Sequence, residues 1–233
     1  MHIQLFLCVL ALAADMLACS HPSQPLVSVI MRSYNRDIYL DLAIQSVLNQ
    51  TYEAWELIII DDGSSNPHTL RTLLHYQQLQ PSKLRVILHN ANLGYPFGPI
   101  HGYAEAQGQL VAIMDDDDLM HPAKLEKQVA AFLSDPGLGW VATWMSHVDK
   151  CGQFVRHHHL PAANYEAFKV QMFGFCVVGN QAVMVNRSVI GAEQHFEGHL
   201  CEDWYAWTRL LQRSVPFKFV PEALVGYRLH FTG

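Results

Sequence analysis

Trp55-Glu56-Leu57-Ile58-Ile59-Ile60-Asp61-Asp62-Gly63-Ser64 and, further on, Leu110-Val111-Ala112-Ile113-Met114-Asp115-Asp116-Asp117-Asp118 decide the fold. In each, a run that is apolar at every position, instead of alternating, stops abruptly at carboxylates. Runs of that kind suit strands covered on both faces, as in a parallel sheet between layers of helices. Leu26-Val27-Ser28-Val29-Ile30-Met31 reads the same way and runs into Ser33-Tyr34-Asn35-Arg36, and Leu84 to Leu88 supplies a further strand. Helical patterns fall between the strands. Asp37 is placed to cap a helix through Gln50, with Ile38, Leu42, Ile44 and Val47 as apolar positions. Thr69 to Gln80 reads as a second helix, and Gly102 to Gly108 as a helix end. The alternation predicts an α/β fold with a mostly parallel central sheet flanked by helices.

The second half has a different character. Gly139 to Met145, Gly152 to Arg156, Ala182 to Val185 and Phe217 to Val220 read as strands with longer connections, and only Pro122 to Leu133 and Asp203 to Gln212 as clear helices. The expected organisation is an extension over 1–24 and a single domain over 25–233. Within that domain, 25–118 would bind a ligand at the strand ends, and the smaller mixed portion, 119–233, would complete the site.

Composition excludes several classes. A chain of 233 residues with 11% aromatic and 15% charged residues is not disordered, and it is long enough for a buried core. Fifteen Lys and Arg against 21 Asp and Glu leave a net charge of −6, the wrong sign for gripping nucleic acid by bulk charge. The longest apolar run is too short and too interrupted to span a bilayer. Ile3 to Ala14 is similar to the apolar part of a secretion signal, but no Lys or Arg precedes Arg32 and Asp15 interrupts it. The segment therefore reads as a helical extension, or as a start assigned upstream of Met16. Five scattered cysteines, Cys8, Cys19, Cys151, Cys176 and Cys201, fit reduced thiols in the cytoplasm better than a disulfide framework.

Ser33-Tyr34-Asn35-Arg36, Asp61-Asp62 and Asp115 to Asp118 all follow the carboxyl ends of predicted parallel strands, where open α/β sheets bind ligands, so they would line one crevice. Four consecutive aspartates repel one another unless a cation or hydrogen-bond donors offset the charge. Their oxygens suit Mg²⁺ or Mn²⁺, and a solvated acidic turn is the plainer reading. A calcium-binding loop starting at Asp115 fails, because Met120 stands where glycine is needed and Pro122 starts a helix inside it. His195 and His199 lie near Cys201 and Glu202, but the order is not that of a metalloprotease and Gly198 weakens a helix holding both rings. His157-His158-His159 reads as an exposed loop. No phosphate-binding Gly-Lys-Ser/Thr loop, dinucleotide glycine motif or nucleophile elbow is present in the chain. Glu202-Asp203 opens a helix, where the dipole favours a carboxylate, and Trp204 fits either the core or a platform for a sugar ring.

The ordered set of these motifs resembles the family 2 inverting glycosyltransferases with the GT-A fold, a Rossmann-like architecture. The resemblance runs from Pro25 to about His230. It is carried by Val27 to Arg36, Ser46 to Tyr52, Trp55 to Ser64, Asn92-Leu93-Gly94, Met114 to Asp118 with Pro122-Lys124-Leu125, Glu202-Asp203, and Tyr227-Arg228-Leu229-His230. It implies a nucleotide-sugar donor, most often a UDP-sugar, and a glycan or lipid-linked glycan as acceptor. By position, Ser33, Tyr34 and Arg36 would surround the nucleotide and Asp62 would accept from the base. Asp115 and Asp117 match the metal-binding Asp-x-Asp, with Asp116 also on the donor and a shift to Asp116 and Asp117 open. His230 falls near the diphosphate or metal, and Asp203 matches the catalytic base. Asn180, Gln181, Glu202 and Trp204 are the expected acceptor contacts. One departure is Pro99-Ile100, where many relatives carry Arg-Asn. The resemblance further implies Mn²⁺ or Mg²⁺, no nucleic-acid partner, and work in the cytoplasm with peripheral association at the inner face of a membrane. A sugar nucleotidyltransferase and a non-catalytic nucleotide-sugar-binding domain remain alternatives at this stage.

Overall fold

The computed structural model describes residues 24–36, 38–158, 165–174, 176–190 and 202–230. Most of the N-terminal extension, the Asp37 cap and the His195, His199 and Cys201 group lie outside the described residues. In chain order the elements are β1 (Val27–Ser33), α1 (Leu40–Leu48), β2 (Trp55–Asp61), α2 (Pro67–Leu79), β3 (Leu84–Leu88), α3 (Phe97–Glu105), β4 (Leu110–Asp115), β5 (Leu119–Met120) and α4 (Lys124–Ser134). They continue with β6 (Trp140–Val148), β7 (Phe154–His157), α5 (Tyr165–Gly174), a 3₁₀ turn (Asn180–Ala182), β8 (Val183–Asn186), α6 (Arg187–Ile190), α7 (Glu202–Gln212) and β9 (Phe217–Arg228).

Among the described residues the strands make one nine-stranded sheet in the order β3-β2-β1-β4-β8-β6-β9-β5, with β7 paired on β6. The β3-β2-β1-β4 part is parallel throughout, with Val29 opposite both Leu57 and Ala112. The rest is mixed: β8 runs antiparallel to both β4 and β6, and β9 runs parallel to β6. Pleating divides the apolar strands between two cores. Val29, Met31, Ile59, Ala112 and Met114 face Leu40, Ile44 and Val47 of α1 and Leu125 and Val129 of α4. Ile30, Ile58, Ile60, Val111 and Ile113 face Tyr103 of α3, Phe168 and Met172 of α5, and Trp207 and Leu210 of α7. The continuous apolar runs therefore had to be apolar, because both faces are covered.

Several local expectations change. α1 begins at Leu40, with Tyr39 at its cap and no side-chain cap bond. α3 starts at Phe97, five residues before the expected helix end, because Pro96 and Pro99 fall in its cap and first turn, where proline is tolerated. Gly102 then lies mid-helix, where a Cβ would meet Ile30 Cγ2 at 2.3 Å. α5 and the short β5 carry too little amphipathic or alternating pattern to be seen in advance. β9 runs to Arg228 instead of stopping at Val220; the register shifts around Trp144 accommodate Pro221, which has no N–H for the ladder. No helix among the described residues is long and apolar enough to cross a membrane.

Lys124, at the start of α4, is fully buried, and its Nζ has no hydrogen-bond partner among the described residues. Burial pushes the ammonium down to about 7. Between that value and the ordinary lysine range the unfolded chain holds a proton that the folded chain has shed, so stability falls as pH drops toward 7. Lys124→Met should therefore raise the unfolding midpoint at pH 6.5, by about 5 °C on the scale of roughly 2–4 °C per kcal/mol for a chain this size. The gain should shrink toward pH 10. A lower midpoint for the variant at pH 6.5 would show that the ammonium is satisfied and stabilising.

Candidate active site

The loops after β1 and β2 are built as one unit. Asn35 takes the left-handed conformation at φ 49°, which asparagine tolerates better than bulkier residues. In that pose its amide donates to Ser64 Oγ (2.8 Å), and its Oδ1 accepts from the Ser65 and Asn66 amides (both 2.9 Å). Ser33, at the end of β1, is fully buried and Tyr34 is exposed. Asp61 is turned into its own loop, accepting from the Ser64 amide (2.9 Å) and hydroxyl.

Asp62 is fully buried and has four partners. The Leu93 amide (2.9 Å) and His89 Nδ1 (3.1 Å) meet Oδ1, and the Gly94 amide (3.1 Å) and Arg32 Nη2 (3.1 Å) meet Oδ2. Burial alone would raise this carboxyl, but the Leu93 amide, His89 and Arg32 outweigh it and hold it below its usual range. His89 is backed by His101 at 2.9 Å, and Arg32 lies over the Tyr95 ring at 5.1 Å. Asp62 thus anchors the Leu93-Gly94 turn.

The four aspartates after β4 have different surroundings. Asp115 accepts from the Tyr95 hydroxyl (3.1 Å), yet desolvation, with the charge of Asp117 next, pushes it up to about 7. Asp116 accepts from Arg36 Nε (3.0 Å); burial raises its carboxyl and the Arg36 charge opposes the shift. Asp117 Oδ2 is shared by Arg36 Nη2 and His230 Nε2, each at 2.9 Å. Asp118 faces inward, 1% exposed, accepting from the Arg228 amide and from Gln181 Nε2, each at 2.8 Å. Arg228 in turn donates to the carbonyls of Asp117 (2.6 Å), Asp149 and Lys150 (both 3.0 Å), and its guanidinium lies over Tyr39 at 4.4 Å.

Across the sheet, α7 presents Asp203. Trp140 stacks on Trp207 at 5.7 Å and on Phe217 at 4.6 Å, fixing the helix against β6 and β9. Asp203 Oδ1 accepts from the Trp204 amide (2.7 Å), and Oδ2 faces Cys176 Sγ at 3.7 Å. Burial pushes its carboxyl above the usual range despite both donors. Trp204 donates its indole N–H to the Met172 carbonyl of α5, which ties it to the helix layer. The side chain of Glu202 lies outside the described residues.

Asp115 and Asp203 line one cleft of about 300 Å³, together with Tyr95, His158, Asn180 and Tyr227. Arg36, Asp116, Asp117 and His230 form an ion-pair cluster, and Asp62 stands behind the Leu93-Gly94 turn. Tyr95 and Cys176 carry no functional expectation from sequence, Tyr227 enters only within the Tyr227–His230 motif, and His158, expected in an exposed loop, stands in the cleft wall. Its local sequence carries no signal of this, because strand pairing between β6 and β7 brings it there.

Among the described residues no group of three or more His, Cys, Asp or Glu is arranged as a ready metal cage. The donor chemistry nevertheless fits a hard divalent ion: Asp115 is raised in part by the Asp117 charge, a repulsion that a cation would relieve, and His230 is already against Asp117. Arg36 partly fills that role here.

Residues 28–192 match the sequence pattern of Glycosyl transferase family 2. The chain belongs to glycosyltransferase family 2. It is 30% identical over 209 residues to the O-antigen biosynthesis glycosyltransferase WbnJ of Escherichia coli, a match covering 88% of this chain and 80% of that protein. Its structure is similar to the mannosyltransferase PcManGT from Pyrobaculum calidifontis in complex with GDP-Man and Mn²⁺ (TM-score 0.67, 16% identity, 91% of this chain and 59% of that one). It is also similar to S. aureus TarS 1-349 in complex with UDP-GlcNAc (TM-score 0.67, 16% identity, 89% and 59%). The chain spans about three-fifths of those two structures. At that identity the likeness establishes the fold, a mixed α/β, Rossmann-like GT-A architecture.

The geometry separates a structural aspartate from its neighbours. Asp118→Ala leaves the Gln181 amide and the Arg228 N–H without their buried acceptor, each costing about 1–3 kcal/mol, so the unfolding midpoint should fall by roughly 5–15 °C. Asp117→Ala removes two partly exposed pairs together with some repulsion, and its midpoint should stay within about 2 °C of the parent. Equal losses in the two variants would refute this division.

Proposed function

We propose that the chain is a metal-dependent inverting glycosyltransferase that moves a sugar from a nucleotide-sugar, with a UDP-sugar favoured, to a hydroxyl of a glycan or lipid-linked glycan. The observation that carries this reading is the shared cleft: Asp115 from the end of β4 and Asp203 from the start of α7 face one space from opposite halves of the sheet. Family membership favours transfer over the nucleotidyltransferase and non-catalytic alternatives. The nucleotide-sugars bound by PcManGT and TarS support a donor of that class.

In this reading Ser33, Tyr34 and Arg36 border the nucleotide; Asp62, expected from the resemblance to accept from the base, has both oxygens taken by four donors and instead holds the Leu93-Gly94 turn. Asp115, Asp117 and His230 would hold Mn²⁺ or Mg²⁺, with Asp116 on the donor side; such an ion neutralises charge on a departing diphosphate. Arg36 would move from Asp117 toward phosphate. Asn180 and Gln181 border the acceptor half, and Gln181 is held by Asp118.

Asp203 takes the proton of the acceptor hydroxyl as that oxygen attacks the anomeric carbon from the face opposite the nucleotide. A single displacement inverts the centre and needs one base. Burial suits Asp203 to the task, because a raised carboxyl has a greater affinity for the proton, provided the pH is high enough to keep it ionised.

Thermal unfolding with UDP, GDP or CDP, each with and without Mn²⁺, tests the donor site. Saturation at about a hundred times the dissociation constant adds roughly 2.7 kcal/mol, a rise of about 5–10 °C. A Mn²⁺-dependent rise with UDP is the expected result; no rise with any nucleotide would reject a nucleotide-sugar site. Asp203→Asn should keep that rise and lose transfer by at least about 10³-fold, and unimpaired turnover would remove Asp203 as the base. The raised carboxyl also places the acid limb of the rate profile above the ordinary aspartate range, with activity lost as pH falls through it. Cys176→Ala removes a hydrogen bond that favours the ionised form, so the limb should move to higher pH, while Cys176→Ser should leave it near the parent. A limb unmoved in the alanine variant would show that the thiol does not support the base.

A further inference from the structure

The irregularity in β9 opens a second cavity. The β6–β9 ladder pairs Thr143 with Val220 and Trp144 with Ala223, so Pro221 and Glu222 are left without partners in β6. Bulges of this kind bend a strand and re-aim its side chains. Here Pro221 and Glu222 border a cavity of about 340 Å³ that Trp144, His121 and His157 also line. Met145 and His158 line the Asp115–Asp203 cleft, while their chain neighbours Trp144 and His157 line this cavity, as the alternation of a strand requires. The same two strands, β6 and β7, therefore carry one space on each face, and β7 pairs with β6 alone among the described residues.

The lining suits an uncharged, hydroxyl-bearing ring. Trp144 is half-buried, and its indole has no hydrogen bond, ring contact or cation contact among the described residues. Trp140, by contrast, stacks on Trp207 and Phe217, as a core indole does. An indole without such a partner leaves its electron-rich face to a ligand, and the C–H bonds of a sugar ring present weak positive charge to it. His121 and His157 are each held through Nδ1, by the Ala123 amide and at the Ser146 hydroxyl (both 3.2 Å). Glu222 pairs with Lys127, and no Lys or Arg lines the cavity. A phosphate would therefore meet a carboxylate, whereas sugar hydroxyls can donate to a carboxylate and pair with imidazole nitrogens. The volume falls in the roughly 300–1,000 Å³ range of small-molecule sites.

We propose that this cavity is a second carbohydrate site, which stacks one uncharged sugar residue of the acceptor glycan on Trp144 while the reacting end lies in the cleft across the sheet. The short strand β7, paired on one side, is the edge round which a glycan passes from one face to the other. The sugar binding stands on the cavity itself; its service to an acceptor rests on the transferase reading above.

Fluorine spectra of the full chain labelled with fluorotryptophan test it, with the Trp144 signal assigned by its loss in Trp144→Phe. The methyl glycosides of glucose, galactose, mannose, N-acetylglucosamine and N-acetylgalactosamine are added one at a time, without nucleotide or metal. At least one should move the Trp144 signal to saturation. A Trp144 signal unmoved by every glycoside overturns the proposal. Movement of the Trp204 signal alone, beside Asp203, also overturns it, by placing the sugar in the cleft. Inorganic phosphate should leave Trp144 unmoved; a shift with phosphate would overturn the choice of an uncharged ligand. A signal that moves with protein concentration and with no sugar would assign the cavity to a second copy of the chain instead. Read by saturation transfer from protein to sugar, Trp144→Ala should weaken the glycoside about tenfold and Glu222→Ala about threefold, with unfolding midpoints near the parent's. Undiminished binding in both variants would remove the site. A chain that binds a glycoside at Trp144 but no nucleotide would keep the carbohydrate site and reject its role in transfer.

Discussion

The rest of the site depends on one buried carboxylate, Asp118. It is the last of four aspartates in a row, and one oxygen receives the Arg228 amide of β9 while the other receives the Gln181 side chain from the turn before β8. A single residue at the end of the parallel half therefore fixes two elements of the mixed half. With Asp118 turned inward, Asp115 lines the cleft, and Asp116 and Asp117 pair with Arg36. The Arg228 guanidinium, which carries donors only, adds a second lock with bonds to the carbonyls of Asp117, Asp149 and Lys150. The acidic run is thus part scaffold and part site. Four aspartates can be adjacent because burial favours the protonated forms of Asp115, Asp116 and Asp118, and Arg36 pairs with Asp116 and Asp117.

The parallel half was legible because its signal is local. β1, β2 and β4 each hold an apolar run buried on both faces, and each stops at polar residues where the crevice begins. The mixed half was less legible for physical reasons that can be named. Pro221 in β9 ends any strand read from local pattern, yet it lies where the pairing with β6 skips residues and no ladder N–H is needed. In α3 the prolines 96 and 99 read as breakers, although the first turn of a helix has no use for their missing N–H. Nothing local in the sequence reports either context.

The site divides in the same way. Asp115, Asp117 and Asp203 stand out in the sequence by their order along the chain, and the fold brings Asp115 and Asp203 to one cleft. Tyr95, Cys176 and His158 are positioned by long-range contacts: Tyr95 by Asp115, Cys176 by Asp203, and His158 by the β6–β7 pairing. A histidine in a run of three looks like solvent-facing loop until its neighbour in the other strand is known. The loop anchored by Asp62 makes the same point. Its partners Arg32, His89 and Leu93 are distant in sequence, and only their convergence shows that this aspartate holds a wall.

Asp203 shows how the fold sets the proton affinity of a carboxyl. It sits in the first turn of α7, where the helix dipole favours the ionised form by about 0.3–1 kcal/mol when exposed, and it has the Trp204 amide and the Cys176 thiol as donors. All three effects would lower its proton affinity, yet the carboxyl is raised, so desolvation outweighs them together. In the layer beneath, Trp207 of the same helix stacks on Trp140 and seats α7 on β6. The aromatic cluster is therefore linked to the chemistry through the depth at which it seats the helix. A shallower α7 would expose the same aspartate to water, leave the dipole and the two donors dominant, and give a weaker base in the same place.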